Sequence, residues 1–262
     1  MDSNQVSEYY IWFNKYFDSF KYDDEKIKSN LTSKKLHTLR VCKNIKFLSK
    51  SLNLSSSEIR IAEVIALFHD IGRFEQFAKY QTFKDGISID HAKLGLTILN
   101  NYEVLKDLST EDKAFILVAI GYHNKYSLPN NLSEKNLLFC KLIRDADKLD
   151  IFDMLIDSYE NPELYQNEAF EDFIDTNEYQ ISFVECIINK EKVIYNNVKT
   201  KADIKLLRIS WIYDINFNES LKIIESNKYI DRIIRFLPQD DNIARLHKHI
   251  NAYMQDKMNN LQ

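Results

Sequence analysis

The stretch 67-LFHDIGRF-74 places a histidine and an aspartate side by side, directly after the apolar run 61-IAEVIALF-68. The apolar residues of that run predict a helix that is buried in the protein core. Two side chains that can bind a metal therefore stand at the end of a buried helix. They are either a hydrogen-bonded polar pair or two ligands of one ion, and the rest of the chain has to decide between these interpretations.

The composition around this stretch favours helices. The chain has 262 residues, of which 45% are hydrophobic, and it contains only 4 Gly and 3 Pro. Because Gly and Pro interrupt helices, their scarcity leaves little room for tight turns and favours long helices. No repeat, low-complexity tract or linker is visible. We therefore predict an all-α protein with a single domain over residues 1–262.

Charge and hydrophobicity restrict the partners and the compartment. The net charge is −4 and the isoelectric point is about 5.9, which argues against long nucleic acid as a partner but allows a small anion in a locally basic pocket. The polar N-terminus lacks the pattern of a signal peptide, and no apolar run is long enough for a membrane span. We expect a cytoplasmic protein that does not contact the membrane, and the oligomeric state stays open.

Helical periodicity recurs along the chain, and capping patterns place some helix starts. The segment 55-SSSE-58 is a capping box, and 109-STEDK-113 is a second cap. Gly72 is interpreted as a helix break and 84-KDGISID-90 as a loop, whereas the segment 191–200 has a mild strand character. We predict helices over about 4–20, 24–53, 55–70, 91–101, 110–123, 133–159, 163–174, 179–191, 200–213, 218–236 and 241–259.

Four of the six histidines continue the apolar face of a predicted helix. For example, His37 precedes Val41 by one turn, and the carboxylate of Asp147 lies within the apolar stripe between Ile143 and Ile151. A single histidine on such a face is more often a hydrogen-bonded core residue. Several buried imidazoles and carboxylates together would each need a partner, and a shared transition-metal site satisfies all of them. The predicted inward-facing set is His37, His69, Asp70, His91, His123 and Asp147, while His247 and His249 are predicted to be a solvated surface pair.

At these residues the sequence resembles the HD superfamily of metal-dependent phosphohydrolases. The resemblance covers about residues 30–160 and rests on His37, on 69-HD-70 and on 145-DADKLD-150, with 69-HDIGRF-74 similar to the HDIG variant of the motif. It implies an HD-domain helical bundle with additional C-terminal helices. The metal-binding core would occupy about residues 30–160, and a C-terminal helical extension would occupy about residues 161–262.

The resemblance also implies roles for the inward-facing set. In the family, the first histidine, the histidine–aspartate pair and the last aspartate bind one ion, which here implies His37, His69, Asp70 and Asp147. Two intervening histidines mark the subset with a second ion, and here they would be His91 and His123, with Asp70 bridging. The implied cofactors are two divalent transition-metal ions: Mn, Fe, Ni or Co ahead of Zn or Mg.

Two such ions can share a bridging hydroxide that attacks phosphorus in line, so no side-chain nucleophile is needed. Asp70, Arg73 and Lys148 are the predicted catalytic residues. The phosphate oxygens of the substrate also need donors, and a surface salt bridge is the alternative for each candidate. The predicted substrate contacts are Arg73, Lys148, Lys93 and Arg40, and the predicted groups that orient an imidazole or a water are Asp90, Asn124 and Asp150.

The leading functional hypothesis is a phosphohydrolase acting on a nucleotide or another small phosphate ester or phosphodiester. Phosphomonoesterase and phosphodiesterase both remain open, and a guanosine tetraphosphate hydrolase is a further candidate that a second ion fits poorly. A mixed-valence di-iron oxygenase, which the resemblance also includes, would consume oxygen and require iron. A non-catalytic nucleotide-binding module would bind without turnover.

Overall fold

The computed structural model describes residues 1–164 and 173–260, and this part of the chain is helical, which confirms the all-α prediction. Within it, the only pairing of strand type is an isolated bridge between Ile174 and Thr200. The helices are α1 (Ser3–Asp18), α2 (Glu25–Ser51), α3 (Ser56–Phe68), α4 (Gly72–Tyr80), α5 (His91–Asn101), α6 (Thr110–Tyr122), α7 (Glu134–Glu160), α8 (Ile181–Ile188), α9 (Lys201–Ser210), α10 (Asn218–Ser226), α11 (Tyr229–Ile234) and α12 (Asp241–Asn260).

The chain divides into two compact units, Met1–Asp147 and Lys148–Gln262, and the division falls within α7. The first unit contains α1 to α6 and the beginning of α7. The second contains the end of α7 and the helices that follow. The division does not test the predicted single domain with a metal-binding core over about residues 30–160, which therefore stays a prediction.

Local capping determines where two helices of the first unit begin, as the sequence predicts. The Ser55 hydroxyl accepts a hydrogen bond from the Glu58 amide at 3.3 Å, and the Glu58 carboxylate accepts one from the Ser55 amide at 3.0 Å. The Ser109 hydroxyl accepts from the Asp112 amide at 3.1 Å. These bonds satisfy amide groups that the first helical turn leaves without partners, so each cap favours a helix start at its own position.

Helix α3 lies in the interior of the first unit. Every residue from Ile61 to Phe68 is buried, including the polar Glu63, whose carboxylate accepts from the Tyr10 hydroxyl at 2.8 Å and pairs with Lys46 at 3.0 Å. A helix that is buried all round delivers its C-terminal end to the interior. His69 and Asp70 are therefore inside the protein because of the apolar run that precedes them.

The helix is interrupted at residues 69–71, directly before Gly72, and Gly72 is the first residue of α4. A Cβ atom at this position would lie 2.2 Å from the His91 carbonyl oxygen and 2.8 Å from the Gly95 amide nitrogen. The glycine thus permits the start of α4 to approach the backbone of α5 closely. The sequence shows the missing side chain but not this distant neighbour.

The second unit differs from the predicted pattern in two places. The predicted helix over 218–236 is interrupted, because Lys228 adopts a left-handed backbone conformation with φ 53° between α10 and α11. The segment 191–200 contains a short 3₁₀ turn, Tyr195–Asn197. The predicted helix over 163–174 falls largely outside the described residues.

The remaining expectations concern isolated residues. No helix in residues 1–164 or 173–260 is both long and apolar enough to cross a membrane. All three cysteines are free, and Cys42 and Cys140 are buried. The predicted solvated pair is wrong, since His247 and His249 are both only partly exposed and the His247 ring contacts the Asp231 carboxylate at 2.6 Å.

Candidate metal centre

The Asp70 carboxylate lies at the centre of the predicted ligand set. It is only 4% exposed and follows directly after the C-cap of α3. Each of the other donors lies at the end or on the face of a helix, and four of these donors are buried histidines. The structure brings together His37 from α2, His69 and Asp70 after α3, His91 from α5, His123 after α6, and Asp147 from α7.

One oxygen of Asp70, Oδ2, faces the first group of donors. It lies 3.7 Å from His37 Nε2 and 3.8 Å from His69 Nε2. Asp147 Oδ1 completes the group, at 3.1 Å from His37 Nε2 and 3.7 Å from His69 Nε2. Two imidazole nitrogens and two carboxylate oxygens therefore converge on one point.

The other oxygen of Asp70, Oδ1, faces the second group. It lies 3.2 Å from His91 Nε2 and 3.7 Å from His123 Nε2, and these two nitrogens are 2.9 Å apart. The two oxygens of one carboxylate thus address two separate sets of donors. This is the arrangement of a carboxylate that can bridge two ions.

The hydrogen bonds of the imidazole rings turn their free nitrogens toward Asp70. His69 Nδ1 contacts the Ala66 carbonyl at 2.7 Å, and His123 Nδ1 contacts the Ile120 carbonyl at 2.7 Å. Because a carbonyl only accepts, each Nδ1 must donate its proton, and the neutral ring then carries its lone pair on Nε2. His91 Nδ1 is held in the same way, at 2.7 Å from Asp85 Oδ2.

The distances and hydrogen bonds of these donors fit the binding of metal ions. If His91 and His123 both carry their proton on Nδ1, two lone pairs face each other at 2.9 Å, which a shared cation relieves. His69 Nε2 is buried and has no hydrogen-bond partner among the described residues. Donors that lie about 2.1 Å from one ion are about 3.0–3.4 Å apart in octahedral or tetrahedral geometry, close to the observed separations.

The electrostatics of the centre keep its groups in their metal-binding forms. Burial opposes ionisation of Asp70, but Lys34 and the surrounding histidines outweigh it and hold the pKa of this carboxyl well below its usual range. Burial likewise opposes ionisation of Asp147, but the contact with His37 at 3.1 Å outweighs it and holds the pKa of this carboxyl well below its usual range. Burial lowers the pKa of His123 to about 4, so this ring is neutral at pH 7.

Comparison with known proteins identifies the part of the chain that holds this centre. Residues 36–151 match the family model of the HD domain. This segment is an HD domain. The predicted resemblance to the HD superfamily of metal-dependent phosphohydrolases is confirmed for this segment, and a domain of this family implies a metal-dependent hydrolase type of function. No curated protein and no solved structure gives a match to the chain.

The HD domain contains a loop between α4 and α5 that supports His91 and that the sequence analysis did not connect with the site. Asp85 in this loop accepts from His91 Nδ1 with both carboxylate oxygens, at 2.9 and 2.7 Å. The Gln76 side-chain amide donates hydrogen bonds to the same carboxylate and to the Ile89 carbonyl, at 2.9 Å each. Burial opposes ionisation of Asp85, but the His91 bond and the Arg73 charge bring its pKa below the usual range.

Arg73 anchors this loop of the HD domain. Its Nη1 donates to Gln76 Oε1 at 2.8 Å, to Asp85 Oδ1 at 3.0 Å and to the Phe83 carbonyl, while Nε lies 3.5 Å from Asp70 Oδ1. The guanidinium therefore joins the candidate bridging carboxylate to the loop that holds His91. Its contact with a substrate phosphate stays a prediction, and the positioning contacts are an addition to it.

Asp90 and Asn124 hold the ends of the two helices that carry His91 and His123. Asp90 Oδ1 caps α5 by accepting from the Ala92 amide at 3.1 Å, and its carboxylate pairs with Lys125. Asn124 Nδ2 donates to Asp85 Oδ2 and to Asp90 Oδ1, both at 3.1 Å. Neither residue contacts an imidazole in the described contacts, so they act on the rings through the backbone and through Asp85.

Arg144 fixes the end of α6 from the neighbouring α7. Its Nη1 donates to the carbonyls of Tyr122 and His123 at 3.2 Å each, and to that of Lys125 at 2.5 Å. The last carbonyls of a helix lack intrahelical partners, and a buried cation satisfies them. One side chain thereby couples the helix that ends at His123 to the helix that carries Asp147.

The other predicted contacts lie elsewhere in the structure. Lys148 belongs to the second unit and pairs with Asp214 at 2.8 Å. Arg40 lines a surface cavity of about 470 Å³, and none of the six donors is among the residues lining that cavity. Lys93 is exposed, and Asp150 is buried in the second unit. Their roles at the site stay predictions.

Proposed function

We propose that this protein is a metal-dependent phosphohydrolase that acts on a nucleotide or another small phosphate ester or phosphodiester. The observation that carries the proposal is the division of the other five donors into two groups, one at each oxygen of Asp70. Such a division provides for two ions side by side. Phosphoryl-transfer enzymes use ion pairs of this kind to stabilise both the attacking and the leaving oxygen of an in-line displacement.

The residues of the chain hold and orient the centre. His37, His69, Asp70 and Asp147 would hold one ion, and Asp70, His91 and His123 would hold the other. When bound, the two ions supply Lewis acidity toward the phosphoryl oxygens and lower the pKa of a water molecule. The backbone carbonyls of Ala66 and Ile120 fix the ring orientation of their histidines.

The mixture of imidazole and carboxylate donors also bears on the choice of metal. Four imidazoles suit Mn, Fe, Co, Ni or Zn better than Mg, which prefers oxygen ligands and retains its waters. We therefore propose a centre of two divalent transition-metal ions. The burial of all four histidines supports a small ester, whose phosphate can enter the centre, over a long polymer.

Hydrolysis assays on the metal-loaded protein test this function. The protein would be loaded with Mn²⁺ and assayed against nucleoside monophosphates, cyclic nucleotides, dinucleotides and a generic aryl phosphate and phosphodiester. We expect turnover that falls more than about a hundredfold in His69→Ala, beyond the usual effect of removing a group outside the ligand sphere. His247→Ala removes a histidine that pairs with Asp231, outside the ligand set, and should retain turnover.

Two outcomes would contradict the proposal. Turnover that survives in His69→Ala would mean that the centre does not perform the hydrolysis. Oxygen uptake by the iron-loaded protein without hydrolysis of any ester would favour the di-iron oxygenase that the same donors permit.

A further inference from the structure

Lys34 lies beside the candidate bridging carboxylate, where neither the sequence analysis nor the family match assigns a residue. Its ammonium nitrogen is 3.3 Å from Asp70 Oδ2, the oxygen that also faces His37 and His69. The side chain is 23% exposed, whereas that of Asp70 is 5% exposed. Lys34 therefore extends between the buried centre and solvent.

The loop between α4 and α5 holds Lys34 in this position. The Lys34 nitrogen lies 5.2 Å from the centre of the Phe83 ring, and the Phe83 carbonyl accepts from Arg73. An ammonium group has three donors, and Asp70 uses one of them. Donors remain available at the solvent side of the carboxylate, where a phosphate would approach.

A count of the formal charges at the centre distinguishes phosphate monoesters from phosphodiesters as substrates. Two divalent ions and the carboxylates of Asp70 and Asp147 leave a charge of +2, and a water that has lost one proton reduces this to +1. Two neighbouring ion pairs add no net charge, since Asp85 pairs with Arg73 and Asp90 with Lys125. Lys34 raises the total to +2, which matches a phosphate monoester dianion. Without Lys34 the total matches a diester monoanion.

We propose that Lys34 binds a phosphoryl oxygen of the substrate and makes the centre select dianionic phosphate monoesters over phosphodiesters. This inference rests on the proposed function. In the reaction, the oxygen of water forms a bond to phosphorus while the bond from phosphorus to the ester oxygen breaks. The ester oxygen leaves with a proton as an alcohol, and inorganic phosphate is the second product.

Binding of inorganic phosphate tests the assignment without turnover. Calorimetric titration would compare the Mn²⁺-loaded wild type with Lys34→Gln, Lys34→Arg and Lys35→Gln. Lys35 is a matched control, because it is the next residue on α2 and its ammonium lies over the Phe17 ring at 4.4 Å. We expect about a ten- to hundredfold weaker phosphate binding in Lys34→Gln, the loss typical of one charge-assisted hydrogen bond, and near-normal binding in the other two.

Metal content and helicity of each variant show whether the centre is intact. Phosphate binding that is unchanged in Lys34→Gln with full metal content would overturn the inference. So would an equal loss in Lys35→Gln, because the effect would then be one of general surface charge.

The ratio of kcat/KM for an aryl phosphate to that for a diaryl phosphate separates this inference from the proposed function. We expect Lys34→Gln to lower the value for the monoester at least about tenfold more than that for the diester. A ratio that instead favours the diester to the same extent in the wild type and in Lys34→Gln would refute the role of Lys34. With that result, the phosphohydrolase function would stand. Absence of all turnover, with phosphate binding still dependent on Lys34, would refute the function and the substrate selection but would leave the phosphate-binding role of Lys34.

Discussion

Single side chains around the centre act by fixing the direction in which an imidazole points. Asp85 shows this for His91, because its carboxylate accepts from Nδ1 and leaves Nε2 toward Asp70. The residue was predicted only as part of a loop. Its proximity to His91 arises when that loop folds back over α4, and the sequence carries no local signal of this.

The contribution of Asp85 can be measured through metal affinity. Asp85→Ala should weaken binding of the second Mn²⁺ ion about 10- to 100-fold, the range found when a partner of a ligating histidine is removed. Equilibrium dialysis at constant pH would measure it. Asp107→Ala, which removes an exposed carboxylate from the same unit, should bind as the wild type does. Equal loss in both variants would mean that net charge, rather than ring orientation, sets the affinity.

The buried His123 ring predicts how the metal-free protein responds to acid. Burial lowers its pKa in the folded protein from 6.5 to about 4. Between these values the unfolded chain binds a proton that the folded chain does not, so stability falls as the pH decreases. Between pH 7.5 and 5, this ring should account for about 2 kcal/mol of the loss in free energy of unfolding.

Urea unfolding of the metal-free protein at these two pH values measures the effect. The difference between the two values should shrink in His123→Gln. A variant whose stability depends on pH as steeply as that of the wild type would show that His123 is not the buried neutral ring described.

Among the elements, the start of α4 closely approaches the start of α5 at Gly72. Capping bonds place helix starts such as that of α3 because they form between residues a few positions apart. The sequence could therefore predict α3, and the apolar stripes could predict which histidines face inward. It could not predict that α4 starts at Gly72, since the reason lies in α5.

Substitution of Gly72 tests this contact. In Gly72→Ala the new Cβ would meet the His91 carbonyl, and the two helices would have to separate. We expect a loss of about 2 kcal/mol in the free energy of unfolding, within the range typical of overpacking, together with weaker metal binding through displacement of His91. Gly86→Ala is the matched control, because nothing lies within 4 Å of its new Cβ. If Gly86→Ala were the more damaging change, the packing argument would be wrong.

At the scale of the whole molecule, all six donors lie within the unit Met1–Asp147. A ligand that binds only the folded form stabilises it by mass action. Mn²⁺ at about one hundred times its dissociation constant should add about 2.7 kcal/mol per site to the stability of this unit. Calorimetry with and without a chelator would measure the shift, which should fall by about half in His69→Ala, because that change removes a ligand of one of the two sites. A shift of equal size in that variant would place the ions elsewhere.

The central claim is that Asp70 bridges two ions, and crystallography with anomalous scattering tests it most directly. Crystals of the Mn²⁺-loaded protein should show two anomalous peaks, one beside Oδ2 among His37, His69 and Asp147, and one beside Oδ1 with His91 and His123. Peaks only at other positions, or a single peak that leaves His91 and His123 without a metal at saturating Mn²⁺, would contradict the account.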